Sequence, residues 1–190
     1  MLIAKSTAAD NVSAGMVANT NAPEAARAGG VFHVQCFDKD GNLKWETSEH
    51  NLVVNEGLQD MNTQYLKGAA YTAAWYLGLI TGPGVALTYS GGDTLAAKSW
   101  TEFTDYSGAR KALTFGTATT ANPSVISNSS PASFTITGAG GVVAGAFMCS
   151  VSSGTSGVLF SESNFQSPGD RTVTAGDVLN VTYTFSLTGS

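Results

Sequence analysis

The chain has 190 residues, 43% of them hydrophobic and 12% charged, with a formal net charge of −5 from 14 acidic and 9 basic side chains. Dispersed cations leave no phosphate-binding footprint, which needs clustered Lys and Arg, so nucleic acid is excluded as the main partner. A domain of this length buries about 70% of its unfolded surface without a metal or disulfide staple, and its 22 glycines outnumber the acids, giving a surface of Ser, Thr, Asn, Gly and Ala suited to weakly charged contacts.

Residues Met1 to Gly30 hold few large apolar side chains after Ile3 and read as a flexible N-terminal arm, either a disordered terminus or a tail that orders by lying across a neighbouring subunit. Met1 to Ala9 lacks the apolar core of a secretory signal. No run reaches the roughly 18 apolar residues that span a bilayer, so no membrane partner is expected. The expected domain is residues 31–190. Within it Phe32, Val34 and Cys36 alternate with His33 and Gln35, and Asp38-Lys39-Asp40-Gly41-Asn42 then separates this run from Leu43–Thr47, a hairpin signal centred on Gly41. Asp38, Asp40, Asn42, Glu46 and Glu49 fall at calcium-loop spacing, but Leu43 stands where that loop needs Gly and no helix flanks it, so a turn is preferred to a cation site.

Asn51–Val54 reads as a strand. Asn55 is expected to cap a helix over Glu56–Lys67, stopped by Gly68, whose stripe Leu58, Met61, Tyr65 and Leu66 should face the core as a lid. Trp75–Ile80 is apolar on both faces, as in a central strand covered on each side, with Gly78 marking a close approach or bulge and Thr81–Gly84 a turn. Gly92–Tyr106 reads as a long loop with a helical turn capped by Asp93, presenting Trp100, Phe103 and Tyr106 as partner anchors.

Short strands follow at Ala112–Phe115, Ser124–Ser127, Ser133–Thr137, Val142–Val151, Gly157–Phe160 and Arg171–Thr174, separated by small polar turns. In Val178–Leu187 the residues Leu179, Val181, Tyr183, Phe185 and Leu187 share one side, a period of two over about 33 Å. This cadence specifies a mainly β fold: an antiparallel β-sandwich, jelly-roll-like, with one helix. Cys36 and Cys149 lie in apolar runs and read as buried free thiols.

No catalytic, cofactor-binding or metal-ligating set emerges. Ser153–Gly157 is not a nucleophile elbow, His33 and His50 are the only histidines, neither Gly82-Pro83-Gly84 nor Gly138–Gly141 opens a phosphate cradle, and the carboxylates are scattered. Asn11, Asn128 and Asn180 match the glycosylation triplet only as a chain rich in Asn, Ser and Thr would by composition.

The ordered set Asn51–Leu58, Trp75–Ile80, Gly92–Leu95, Trp100-Thr101-Glu102 with Tyr106 and Arg110, Ser133–Ile136, Gly154–Phe160 and Gly176–Leu187 resembles a family of tailed-bacteriophage virion proteins, the head decoration or cement proteins, over roughly residues 50–188. The resemblance implies a non-enzymatic, jelly-roll-like protein on the virion's capsid surface, made in the host cytoplasm. It further implies binding to the outside of the phage major capsid protein shell and to neighbouring copies of itself as a dimer or trimer, with no cofactor. The alternatives are a phage tail or neck structural protein and, in another class, a host-surface carbohydrate-binding module.

Overall fold

A computed structural model describes residues 26–66, 74–82, 89–166 and 169–189. Two antiparallel sheets face one another. The first is built from β1 (Arg27–Phe37), β2 (Leu43–His50), β7 (Ser124–Ser127), β8 (Ala132–Thr135) and β12 (Val178–Thr188), in the order β2-β1-β12-β7 with β8 also pairing β12. The second holds β3 (Leu52–Val53), β10 (Leu159–Asn164), β9 (Gly141–Cys149), β4 (Trp75–Thr81) and β5 (Glu102–Phe103) in that order. In it β6 (Lys111–Leu113) also pairs β4, and β11 (Arg171–Val173) pairs β9. The mainly β sandwich read from the sequence is the fold.

The long alternating strand β12 is central to the first sheet, paired along its length with β1 from Arg27 opposite Thr188 to Phe37 opposite Val178. Its Leu179, Val181 and Tyr183 are fully buried between the sheets against Phe32, Val34, Cys36 and Phe134. Most of the expected arm lies outside the described residues. Its last part is strand: Arg27–Gly30 pair with Phe185–Thr188, a register that the small residues conceal because they carry no apolar pattern. Gly30 is required there, since a Cβ would meet the Thr184 carbonyl at 2.5 Å.

The β1–β2 connection is the expected turn. Asp38 accepts from the backbone N–H of Asp40 and of Asn42 at 2.9 Å each, and Gly41 takes φ of 85°. Glu46 instead accepts from Gln35, and Glu49 from Thr47 on the buried side, so the five calcium-spaced residues do not converge.

Strand β4 is covered on both faces. Trp75, Leu77 and Leu79 join the inter-sheet core, while Tyr76 and Ile80 join a second cluster on the outer face of the second sheet with Leu95, Trp100, Ala144, Phe147, Cys149 and Leu159. The cover is the 89–101 loop, where no helical turn forms; Trp100 stacks on Phe147 with ring centroids 4.6 Å apart. Trp100 is buried there because a sheet apolar on both sides needs a second layer, while Phe103 and Tyr106 are buried in the inter-sheet core, so none of the three is displayed as an anchor. The turn expected at Thr81–Gly84 and the helix stop at Gly68 extend outside the described residues.

Helix α1 (Asn55–Tyr65) departs from expectation in two ways. Val54 occupies the cap position without a side-chain cap, and Asn55 is already helical, its N–H donating to the Gly91 carbonyl. The side buried against the sheet is that of Gly57, the one buried helix residue, and of the expected lid stripe only Met61 packs on the core while Leu58, Tyr65 and Leu66 are exposed. A Cβ on Gly57 would sit 2.5 Å from the Phe160 carbonyl oxygen, so only glycine lets α1 lie this close to β10.

Candidate functional site

The exposed end of that stripe shapes the site. Met61 packs on the inter-sheet core, whereas Leu58 is 40%, Tyr65 88% and Leu66 75% exposed. Opposite them β12 runs out of the core: Tyr183 is buried, Phe185 half-buried, and Leu187 is 37% exposed. Between helix and strand lies an open groove of about 570 Å³ floored by Trp75, Phe160, Phe185 and Met148. Trp75 and Phe185 each meet Phe160 edge-on, at 5.2 and 5.4 Å, which fixes the floor. Asp60 is the single charged side chain among its described lining residues. Such a surface can bind by shape and apolar burial; it offers no converging acid, base or nucleophile.

Elsewhere the polar residues are engaged internally. Glu102 and Arg110 form a partly buried two-pronged ion pair at 2.7 and 2.9 Å, with Arg110 buried and Glu102 at its edge. Arg110 also donates to the carbonyls of Val151 and Gly154, tying down the Ser153–Gly157 turn that had been weighed as a nucleophile site. Trp100 donates its indole N–H to Glu162 at 2.6 Å. The residues Trp100, Glu102 and Arg110, quoted above as one motif, thus hold the outer layer of the second sheet together.

His33 accepts or donates at Ser48 on the outer face of the first sheet, and His50 is exposed one strand away. Asn128 is buried, its carbonyl accepting from the Tyr183 N–H at 2.7 Å and its amide donating to the Ser130 and Val181 carbonyls, so it is a brace between loop and strand rather than a modification site. Asn180 is half-buried in β12, and Asn11 lies outside the described residues. Cys36 and Cys149 are free and buried in different clusters; burial is the main reason the Cys36 thiol is pushed up to about 11, and it raises Cys149 too.

Among the described residues no three His, Cys, Asp or Glu side chains are grouped to hold a metal ion, and no helix is long and apolar enough to cross a membrane. Sequence reasoning missed the groove because it placed the stripe of α1 inward; Gly57, flanked by helical residues, was the available signal. No family model, curated protein or solved structure matches the chain.

Proposed function

We propose that the protein is a non-catalytic bacteriophage capsid decoration protein, binding the outside of the major capsid protein shell and stabilising the head. The observation that carries this reading is the groove: an exposed apolar surface with one charged residue among its described lining residues, where the exposed Tyr65, Leu66 and Leu187 come together. Apolar exposure concentrated in one patch marks an interaction surface. The order of motifs quoted above supplies the virion context. Many copies on a symmetric lattice, self-associated as dimers or trimers, make weak individual contacts collectively strong.

The carbohydrate-binding alternative rests on one exposed aromatic, Tyr65 beside Asn62 and Gln64 at the groove rim, since Trp75 and Trp100 are buried and Trp45 is half-buried. Particles lacking the protein should assemble normal heads but lose resistance to heat and high salt. Added wild-type protein should restore it, and Leu66→Asp protein should not. Unchanged particles would overturn the proposal, and labelled protein seen by electron microscopy at the tail or neck would move it there.

A further inference from the structure

The second apolar layer is fastened by a group the adhesive reading does not use. Glu162 points from β10 into the outer cluster and is fully buried. One carboxyl oxygen accepts from the Trp100 indole at 2.6 Å, while the other meets no partner at hydrogen-bond distance, the Ser90 backbone N–H acting on the carboxyl only weakly. The Asp93 side chain lies within hydrogen-bonding contact of the same carboxyl. Asp93 is itself held in its loop, its N–H donating to the Ser90 carbonyl and its carboxylate accepting from the Ser90 N–H.

A fully buried carboxylate beside a second, half-buried one is disfavoured as an anion, and its unpartnered oxygen is satisfied when it carries a proton. We propose that a proton held by Glu162 and donated to Asp93 latches the 89–101 loop onto the outer face of the second sheet, making this loop a pH-sensitive clasp.

The surroundings fit that assignment. From the loop, Tyr89 and Lys98 also act on Glu162 electrostatically. Asp170, near β11, reaches Tyr89, and the Glu102–Arg110 pair faces Lys98 and Cys149. From α1, Glu56 accepts from the N–H of Leu159 and of Leu95, clamping the loop at a second point that needs no proton.

Burial, the largest influence, raises the Glu162 carboxyl from its usual 4.5 to about 7; the Trp100 bond and, more weakly, the Ser90 N–H oppose this, and Asp93 adds to it. The closed loop therefore keeps a proton that the open loop releases above its ordinary value. Opening becomes easier as pH rises from about 4.5 to about 7 and levels off beyond it. The full shift would allow a few hundredfold; partial hydration on opening leaves on the order of ten- to a hundredfold.

Hydrogen exchange of residues 89–101, corrected for intrinsic rates between pH 5 and 8, reads this directly. Wild-type protection should fall by that factor and then plateau. Glu162→Gln keeps the acceptor for Trp100 and offers Asp93 a permanent donor, so its protection should stay flat. A flat wild-type profile, or the same slope in the variant, would overturn the proposal. If the variant fails to fold, carbon-13 detection of the Glu162 carboxyl in wild-type protein still decides: titration with a midpoint near 7 is expected, and one near the ordinary glutamate value refutes it. A calcium-dependent rise in wild-type thermal stability at neutral pH that vanishes in Glu162→Gln would also refute it, because a cation would then fill the gap.

Discussion

The sharpest test of the packing is Gly57→Ala, because helix propensity and tertiary geometry predict opposite signs. Replacing a helical glycine by alanine ordinarily stabilises by up to about 1 kcal/mol. Here the new methyl would face the Phe160 carbonyl oxygen at 2.5 Å and its Cα at 2.9 Å, backbone atoms that no rotamer change removes. Restoring ordinary contact requires α1 to retreat by roughly 1 Å, an overpacking cost of about 1–3 kcal/mol. The same retreat stretches the 2.7 Å bond from the Leu159 N–H to the Glu56 carboxylate, a charge-assisted interaction, of a kind that contributes about 1.5–3 kcal/mol when intact.

Part of each term relaxes, leaving an expected net loss of about 2–3 kcal/mol. Urea unfolding followed by tryptophan fluorescence measures it. Gly29→Ala is the control, since a Cβ there meets nothing within 4 Å and should change stability by less than about 0.5 kcal/mol. A Gly57→Ala protein as stable as wild type, or more so, would refute the account of why α1 sits on β10 and hence of why its apolar stripe is exposed.

Three further outcomes follow from single contacts. Tyr183→Phe removes the phenol that meets the Asn51 amide at 2.9 Å and Ser161 at 3.3 Å in the core, and should cost about 1–2 kcal/mol in urea unfolding with the fold unchanged; no measurable loss would contradict the burial of that pair. Arg110→Met strands the Glu102 carboxylate and removes the bonds to the Val151 and Gly154 carbonyls, and should cost about 2–3 kcal/mol because Glu102 can partly hydrate, with Glu102→Gln added in the same chain recovering part of it, a coupling that a double-mutant cycle reports. Burial would raise Asp177, yet the Lys44 hydrogen bond, the Thr174 backbone donor and the Lys44 charge hold it below its usual 3.8. Its contribution is thus present above about pH 4 and lost as pH falls through the depressed value, so the gap in melting temperature between wild type and Asp177→Asn should narrow from pH 6 to pH 3.

Strands were legible where burial imposes a period. β12 alternates because one face meets the core, and β4 is apolar on both faces because the inter-sheet core lies on one side and the 89–101 loop on the other. β10 was legible only at its start, since Ser161-Glu162-Ser163-Asn164 has the composition of a loop. Its polar side chains are buried because their partners arrive from far along the chain: Tyr183 at a separation of 22 residues, Trp100 at 62 and the His50 carbonyl at 113. No local pattern encodes such pairings. The inward fate of Trp100 was recoverable in principle, because a two-faced β4 demands a covering layer and this loop carried an aromatic to make one, whereas Phe103 and Tyr106 enter the inter-sheet core through pairings with β4 and with Ile136. The groove was not, since it depends on how closely one glycine lets a helix approach.

The position of the groove is itself an argument about mechanism. Two elements remote in sequence, α1 and β12, each carry packed apolar residues, Met61 on one and Leu179 to Tyr183 on the other, and then exposed ones, Tyr65 with the following Leu66 and Leu187, and both ends reach the same rim. Scattered exposed apolar residues are ordinary on any protein; convergence of two such tails on one opening is not. With a single charged lining residue among those described, attraction there must come from excluded water rather than from ion pairing. Binding to particles should therefore change little between low ionic strength and about 1 M salt, where the screening length is only about 3 Å. It should also fall sharply with Leu66→Asp at either salt. Strong salt weakening of wild-type binding would shift the contact to charged edges such as β2, and the groove would then be incidental to adhesion.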